Sequence, residues 1–495
     1  MTPTSLSENA NTFAVLDLGS NSFHMLVAKL DGDNTLQLID KLKDKVRLAG
    51  GLNEDKYLSD EIQERAFKHF AQYADRLQGI PRQQVRVVAT DTFRRAKNGA
   101  EFLKQSETVL GFPIEIISGL EEARLIHKGV SHDFPSTERR LIIDIGGGST
   151  ELIISENGTA LHLASLKMGC VSWSKTHFST GWTNENFRIA IAAAHRQIGP
   201  HIQSYQGIGW NVSCGTSGTI KALEALAIEL NHTHLNHLAL TQIRDVMQTE
   251  NQDHPMLQKI SDSRMAVLAG GLSILTALFE AFTLTHVQWL SAALREGVLL
   301  EMLGRIGGED IRDKSVVTLS NRFQVDQVQH ERIANTLNGF IHQVSDSWSL
   351  STRDIQYLQW AVLLHEVGRT IAFSGYHRHS AYIVQHADLP GFSRREQQLL
   401  SRLIGSHRGK IKNVVLQKWG VLPTNNPFKM LALLRLSIRL HRKRSVHQAL
   451  WPLIVNQNSL QLDIPPETLN SQPLLRADLE HERTQLAAIG LVLKF

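Results

Sequence analysis

Apolar runs of strand length alternate with amphipathic segments through the first 305 residues. Apolar residues near 13–30 predict two strands, whereas 58–78 carries the repeat of a helix. The same order of strands and helices recurs downstream, and each half opens with two apolar runs around a short polar loop. The pattern therefore predicts two similar α/β domains, 1–125 and 126–305, that face each other across a cleft.

Beyond this region the pattern becomes mainly helical, and strand-like pieces such as LWPLIV and SLQLDI appear only near the end. We therefore predict a helical domain over 306–430 and a small C-terminal domain over 431–495. The most apolar long run, AVLAGGLSILTALFEAFTL, contains Glu280. It is predicted to be a buried helix, and no membrane span is expected.

Two polar loops carry more chemistry than a turn requires. VLDLGSNSFHMLVA places Asp17 at a strand end and a cluster of small polar residues after it. RRLIIDIGGGSTELIIS repeats this arrangement with Asp144, three successive glycines, Ser149 and Glu151. Backbone N–H and hydroxyl groups that converge in a loop bind phosphate oxygens, and an Asp beside them can hold a cation. Taken alone, the first loop is better explained by an ordinary hairpin turn.

A third loop, in NVSCGTSGTIKAL, presents Gly215, Thr216 and Ser217 before a helical pattern. Helix N-termini favour anions, although the spacing of a P-loop is absent. Three loops of this kind are better explained together, as phosphate-binding loops, than as separate coincidences.

The composition is typical of a large cytoplasmic enzyme: 495 residues, 42% of them hydrophobic and 20% charged. Cys170 and Cys214 are the only cysteines, which argues against a disulfide scaffold or a zinc finger. The N-terminal MTPTSLSENANTF lacks the apolar core of a secretion signal. No nucleic-acid partner is expected, and peripheral association with a membrane stays open.

Positive charge is unevenly distributed, although the net charge is only +4. Between Gln397 and Leu462 there are eleven Lys and Arg residues and no Asp or Glu. Arg435, Arg439 and Arg442 are spaced to share one helix face. Either this basic tract binds an anionic partner, or acidic residues elsewhere pair with it.

A second group of cations alternates along LIDKLKDKVRLAGG, at Lys41, Lys43, Lys45 and Arg47. Alternation predicts that all four share one face of a strand. Four like charges on one face repel one another unless an anion or water lies over them.

Eight motifs in order carry a family resemblance: LDLGSNSFHMLVA, KVRLAGGL, VVATDTFRRAKN, IEIISGLEEARLI, DIGGGSTELI, MGCVSW, CGTSGTIKAL and ALREGVLLEML. Together they resemble the exopolyphosphatase and guanosine pentaphosphate phosphatase (Ppx/GppA) family. The resemblance implies two actin-like, ribonuclease H-like α/β domains, then a mainly helical HD-like domain and a small C-terminal α/β piece. The triple glycine and the C-terminal half look closer to the exopolyphosphatase branch.

The function implied by that branch is release of orthophosphate from the ends of inorganic polyphosphate, by a Mg²⁺-dependent homodimer. The alternative in the same family is guanosine pentaphosphate 5′-phosphohydrolase. An alternative of another class is a polyanion-binding or nucleotide-sensing protein without turnover. A kinase of the same fold is disfavoured by the Glu-Glu motif and the basic tract.

The resemblance also implies roles for particular residues. Glu122 resembles the carboxylate that activates water, whereas Glu121 is explained by the helix N-terminus on which it lies. Asp144 and Glu151 are the leading candidates for Mg²⁺, with Asp17 as the symmetric counterpart.

Donors to phosphate oxygens are implied at Ser20, Asn21, Ser22, Gly146, Gly147, Gly148, Ser149, Gly215, Thr216 and Ser217. Arg94 is expected to reach the terminal phosphate. AVLLHEVGRT resembles the metal-binding helix of HD phosphohydrolases, but Glu366 replaces the Asp that would follow His365. This substitution makes a metal centre there doubtful, so the HD-like domain is predicted to guide substrate or form a dimer.

Overall fold

The structure, a computed structural model, describes residues 11–30, 36–249, 254–306, 310–411, 424, 426–444 and 450–495. The chain divides into two compact units, Met1–Glu309 and Asp310–Phe495. The first ten residues, and Lys412 and Lys418 of the basic tract, lie outside the described residues. The finer division into four domains stays a prediction.

The first half of unit 1 is built on a five-stranded sheet with the order β3-β2-β1-β4-β5. Its strands are β1 Thr12–Leu18, β2 Phe23–Leu30, β3 Leu36–Asp44, β4 Val85–Ala89 and β5 Ile114–Ile116. Its helices are α1 Asp60–Arg76, α2 Asp91–Arg95, α3 Gly99–Leu110 and α4 Gly119–Asp133. Every residue of β1 is buried, as its largely apolar sequence predicts.

The second half repeats this topology in a sheet with the order β10-β9-β6-β7-β8. Its strands are β6 Arg140–Ile145, β7 Thr150–Glu156, β8 Thr159–Leu166, β9 Val212–Thr216 and β10 Gln288–Trp289. Its helices are α5 Cys170–His177, α6 Asn184–Ile208, α7 Ser217–Glu229, α8 His237–Thr249, α9 Pro255–Gln258, α10 Asp262–Phe282 and α11 Leu294–Ile306. In both halves the central strand pairs with an antiparallel hairpin partner and with a parallel strand. The predicted duplication is confirmed.

Helix α10 is the one described helix that is long and apolar enough to cross a membrane by length and composition. Of its most apolar window, 83% is buried inside the protein, where α10 packs on α5 and α6. The prediction of a buried helix is confirmed.

Helices α4 and α11 pack together between the two sheets. They share a hydrophobic cluster with Val15 of β1 and Ile142 of β6. Gly129 of α4 and Gly297 of α11 lie at the contact, and a Cβ on Gly297 would overlap the backbone carbonyl of Leu125. These two glycines therefore allow the two backbones to approach closely, and they fix the position of the helix that carries Glu122.

Unit 2 is mainly helical. Its helices are Ile311–Arg322, Gln327–Trp348, Thr352–Leu364, Tyr376–His386, Arg394–Ser406, Pro427–Leu440, Pro466–Ser471 and Pro473–Ala487. Strands Leu453–Asn456, Ser459–Leu462 and Val492–Lys494 form a small sheet. Ser351 and Ser393 begin two of the helices with complete capping boxes, which satisfy N–H groups that the helix itself cannot bond.

Replacement of Gly297 by Ala is expected to lower the free energy of unfolding by about 1–3 kcal/mol, because overpacking forces α4 and α11 apart. Gly207→Ala is the matched control, since a Cβ there meets open space in an exposed helical turn. The control is expected to be neutral or stabilising by up to about 1 kcal/mol. Chemical denaturation of the two variants measures the difference, and equal stabilities would contradict the helix contact.

Candidate active site

The two equivalent hairpins bring their strand-end carboxylates to one cavity. Asp17 is the next-to-last residue of β1 and lies opposite His24 of β2. Asp144 is the next-to-last residue of β6 and lies opposite Glu151 of β7. His24 Nδ1 lies 3.4 Å from Asp17 Oδ2. A cavity of about 430 Å³ opens between the hairpins, and Asp17, His24 and Asp144 line it.

The loops of the two hairpins meet at this cavity. Ser20, Asn21, Ser22, Gly146, Gly147, Gly148 and Ser149 all line it. A Cβ on Gly147 would touch Ser20 and the backbone nitrogen of Asn21, and a Cβ on Gly148 would overlap Asp91. The glycines are therefore required by the close approach of the loops, and the seven predicted loop residues are brought together.

The third loop contributes only one of its three predicted residues to the lining. Ser217 begins α7 with a left-handed backbone (φ 73°), and its Oγ lies buried with no hydrogen-bond partner among the described residues. Gly215 and Thr216 belong to β9 and are buried. The Thr216 hydroxyl donates to Asp144 Oδ2. Thr216 thus orients a carboxylate instead of facing the cavity.

Glu122 reaches the cavity from the first turn of α4. Its neighbour Glu121 turns away and accepts two hydrogen bonds from Arg124, each 2.8 Å long. Arg94 donates to Glu122 Oε2 at 3.2 Å and to the carbonyl of Ile117 at 2.8 Å. Arg94 itself does not line the cavity. Its contact with Glu122 is that of a residue that positions the carboxylate. Direct contact of Arg94 with a phosphate stays a prediction.

The carboxylates of this site hold protons unusually tightly. Burial raises the pKa of Glu122 to about 7; Arg94 opposes the rise, and Asp17 and Asp144 add to it. Burial likewise raises the pKa of Asp144 to about 6, with the Thr216 hydrogen bond opposing it. The pKa of Glu151 lies well above its usual range because of burial and the charges of Glu122 and Asp144.

Glu151 does not line the cavity. Its side chain is 0% exposed and accepts a hydrogen bond of 2.8 Å from Ser165. Asp17 and Asp144 are therefore the predicted metal-ligating residues that offer oxygens to the cavity. No group of three or more His, Cys, Asp and Glu residues in the described part of the chain could hold a metal ion by itself. Mg²⁺ fits this donor set, because it takes one or two carboxylates and completes its shell with waters and phosphate oxygens.

Basic residues also line the cavity. Lys43, Lys221, Arg264 and Arg295 line it, and we call them the cationic bank. The pKa of Lys43 is lowered by burial and then by the charges of Arg264, Arg295, Lys45 and Lys221. Mutual repulsion of this kind is relieved when an anion binds between the cations.

The sequence prediction of four cations on one strand face is only partly confirmed. Lys41 and Lys43 do share a face of β3 and line the cavity, but β3 ends at Asp44. Lys45 donates to Ser261 and Ser263, and Arg47 has a left-handed backbone. The prediction that all four cations share one strand face is therefore wrong for Lys45 and Arg47.

Lys221, Arg264 and Arg295 were missed as site residues. Arg295 stands in the motif ALREGVLLEML and Lys221 in CGTSGTIKAL, so the motifs contained the signal. Arg264 carries no local signal, because only the fold brings α10 beside Thr219, to which Arg264 donates at 3.4 Å.

In unit 2 the predicted face of arginines is internally neutralised. Arg435 is buried and its Nε donates to Glu482 at 2.7 Å. Arg439 contacts both Glu482 and Asp478, and Arg442 donates to Asp478 at 2.6 Å. Of the two explanations of the basic tract, pairing with acidic residues elsewhere is the one observed at these three arginines.

Comparison with known proteins supplies a family for this arrangement. The model of the Ppx/GppA phosphatase family matches residues 26–306, and the model of Ppx/GppA phosphatase, domain III, matches residues 311–483. A Photobacterium profundum protein named guanosine-5′-triphosphate,3′-diphosphate pyrophosphatase is 35% identical over 482 residues, which cover 97% of this chain and 96% of the relative. A Vibrio cholerae protein of the same name is 37% identical over 488 residues, 97% of each chain.

Solved structures resemble about three fifths of this chain. An exopolyphosphatase from Cytophaga hutchinsonii is 21% identical with a TM-score of 0.53, and it covers 59% of this chain and 97% of its own. An Aquifex aeolicus member of the Ppx/GppA family is 23% identical with a TM-score of 0.50, and it covers 60% of this chain and 98% of its own. At these identities the likeness shows the fold alone, and the predicted fold class of actin-like α/β domains with an additional helical domain is confirmed.

The predicted branch and main function are wrong. The five similar curated relatives, 35–37% identical, all carry the guanosine pyrophosphatase name and not that of an exopolyphosphatase. The basic tract gives no support for a polymer substrate at Arg435, Arg439 and Arg442, because Glu482 and Asp478 pair with these arginines.

The raised pKa of Glu122 predicts the pH dependence of turnover. A general base acts when deprotonated, so kcat/KM is expected to rise with pH through a midpoint near 7. Arg94→Gln removes the cation that lowers this pKa, so the midpoint moves to higher pH. Arg95→Gln is the control, since Arg95 pairs with Asp91 and not with Glu122. A pH profile that falls through the same range, or that is unmoved in Arg94→Gln, would contradict the assignment.

Proposed function

We propose that this chain, which belongs to the Ppx/GppA phosphatase family, hydrolyses guanosine pentaphosphate to guanosine tetraphosphate and orthophosphate. The observation that carries the proposal is one cavity lined both by a buried carboxylate with a pKa of about 7 and by the cationic bank. The name shared by relatives that match over nearly the whole chain supports this substrate.

The phosphate groups of the substrate lie against the cationic bank and the loops. The cationic bank neutralises the 5′ phosphate chain, and the backbone N–H groups of Gly146, Gly147 and Gly148 with the hydroxyls of Ser20 and Ser149 bind the terminal phosphoryl group. Phosphoryl transfer needs little covalent help from the protein, so positioning and charge neutralisation supply most of the catalysis.

Water is the nucleophile, and Glu122 orients and deprotonates it. The water oxygen forms a bond to the terminal phosphorus, the bond from that phosphorus to the bridging oxygen breaks, and the penultimate phosphate leaves with the electron pair. The water proton passes to Glu122, whose pKa near 7 suits both acceptance and release at neutral pH. Arg94 holds Glu122 in place and keeps part of its population ionised.

Asp17 and Asp144 would hold Mg²⁺, which withdraws charge from the phosphoryl oxygens when bound. A cation between these carboxylates would also relieve the repulsion that contributes to the raised pKa of Asp144. Homodimer formation, cytoplasmic location and the predicted roles of Glu151, Gly215 and Thr216 remain proposals.

Phosphate release from guanosine pentaphosphate, measured beside long polyphosphate, tests the function. The nucleotide is expected to be the better substrate by kcat/KM. Glu122→Gln is expected to lower kcat by about 10²-fold or more, because the base is lost while its shape is kept. Glu101→Gln, an exposed carboxylate on α3, is the control and should be unchanged. Preference for polyphosphate, or normal turnover by Glu122→Gln, would defeat the proposal.

Asp144→Asn tests the metal assignment. Loss of one carboxylate should move the Mg²⁺ titration of activity to higher concentration and lower kcat at saturation, because fewer protein oxygens hold the ion. Asp133→Asn provides a matched control at the far end of α4, outside the cavity. A Mg²⁺ titration identical to wild type would place the ion elsewhere.

A further inference from the structure

A second cavity, of about 240 Å³, lies wholly within unit 2. It includes His365 and Glu366, where the HD-type resemblance would place metal ligands. Arg444 donates to both carboxylate oxygens of Glu366, at 2.5 and 2.7 Å, and Arg369 donates to it at 3.0 Å. Because two guanidinium groups neutralise the carboxylate, Glu366 is not available to a metal cation.

The histidines of this cavity are also fixed as neutral acceptors. His365 Nδ1 lies 2.7 Å from the carbonyl oxygen of Val362, and His407 Nδ1 lies 2.5 Å from that of Ile404. Carbonyl oxygens only accept, so both Nδ1 atoms carry the proton and each Nε2 keeps its lone pair. Burial lowers the pKa of both rings, which keeps them uncharged.

The remaining lining is rich in arginine and poor in acid. Five arginines and one carboxylate, Glu366, line the cavity. Arg435 and Arg439 are occupied by Glu482, but Arg408 makes no ion pair with a carboxylate among the described residues. Its guanidinium lies 5.8 Å from the ring centre of Phe373 and 5.1 Å from that of Tyr376. Both are cation–π contacts, which keep the guanidinium beside these rings.

Two further groups at the cavity keep hydrogen-bonding atoms that a ligand could contact. Arg442 uses one nitrogen on Asp478, and its side chain is 62% exposed. Gln329 is 4% exposed and donates to the carbonyl of His441, yet its Oε1 is buried without a hydrogen-bond partner in the described structure. The unpartnered buried oxygen of Gln329 lines the same cavity as Arg408, whose guanidinium has no carboxylate partner among the described residues. The pair indicates a ligand that accepts from arginine and also donates a hydrogen bond.

We propose that this cavity binds a small phosphate-bearing molecule through Arg408 and Arg442. Arginine presents paired N–H donors that match phosphate oxygens, and such charge-assisted bonds are the strong ones. A protonated phosphate oxygen, or a donor on the rest of the molecule, completes the hydrogen bonding of Gln329 Oε1. The site is separate from the cavity of unit 1 and does not depend on the proposed hydrolysis.

Hydrogen–deuterium exchange of the full chain tests this site, with inorganic pyrophosphate as the probe. Pyrophosphate is expected to slow exchange in peptides that cover His365–Tyr376 and Ile404–Arg408. Sodium chloride at matched ionic strength and guanosine, which carries no phosphate, are expected to leave both regions unchanged. Peptides of the unit 1 loops report separately on the first cavity in the same sample.

Arg408→Gln is expected to abolish the protection in unit 2. Because Arg408 also packs on two rings, the exposed Arg442→Gln serves as a second variant, and it is expected to lose most of the protection without disturbing the fold. Arg476→Gln, an exposed arginine outside the cavity, should keep full protection. The proposal is overturned if wild type shows no protection, if chloride or guanosine protects equally, or if both cavity variants retain the effect.

Discussion

Burial of carboxylates at one point is the constraint on which unit 1 depends. Glu122 and Asp144 each have a pKa well above the ordinary value because they are taken out of water close to one another and to Asp17. Such an arrangement is destabilising unless cations and hydrogen bonds offset it. Arg94 and Thr216 supply that offset at the two buried groups, and the cavity between them remains open to a cation and an anion.

The duplicated topology is what creates this point. The two sheets have equivalent strand orders, so their hairpins occupy equivalent places. Each central strand therefore carries an Asp at its next-to-last position. The third carboxylate comes from α4, whose position is fixed by the close glycine contact of Gly129 and Gly297 with α11. Catalytic geometry in this unit thus depends on packing between helices at least as much as on the loops themselves.

Local chemistry was readable from the sequence, and long-range pairing was not. The hairpin loops, the buried helix α10 and the choice of Glu122 as a site residue follow from short patterns and a family resemblance, because neighbouring residues mark each of them. Arg264 joins the cationic bank, and Glu482 neutralises Arg435, through contacts between distant segments. The end of β3 was also not predicted from the sequence. The strand ends at Asp44, so Lys45 and Arg47 do not continue the face that carries Lys41 and Lys43.

The difference between the two groups of cations explains why a basic stretch is a poor guide to an anionic partner. In unit 2, Arg435 and Arg439 lower the pKa of Glu482, which is the mark of charges that have already found their partners. In unit 1, burial and then the charges of neighbouring cations lower the pKa of Lys43, so the charged form of this lysine is disfavoured where it lies. Because part of that repulsion is relieved when an anion binds between the cations, Lys43 is a better candidate for contact with an anion than the paired arginines of unit 2. The net charge of a sequence segment does not distinguish paired cations from unpaired ones. Only the contacts of each side chain in the fold distinguish them.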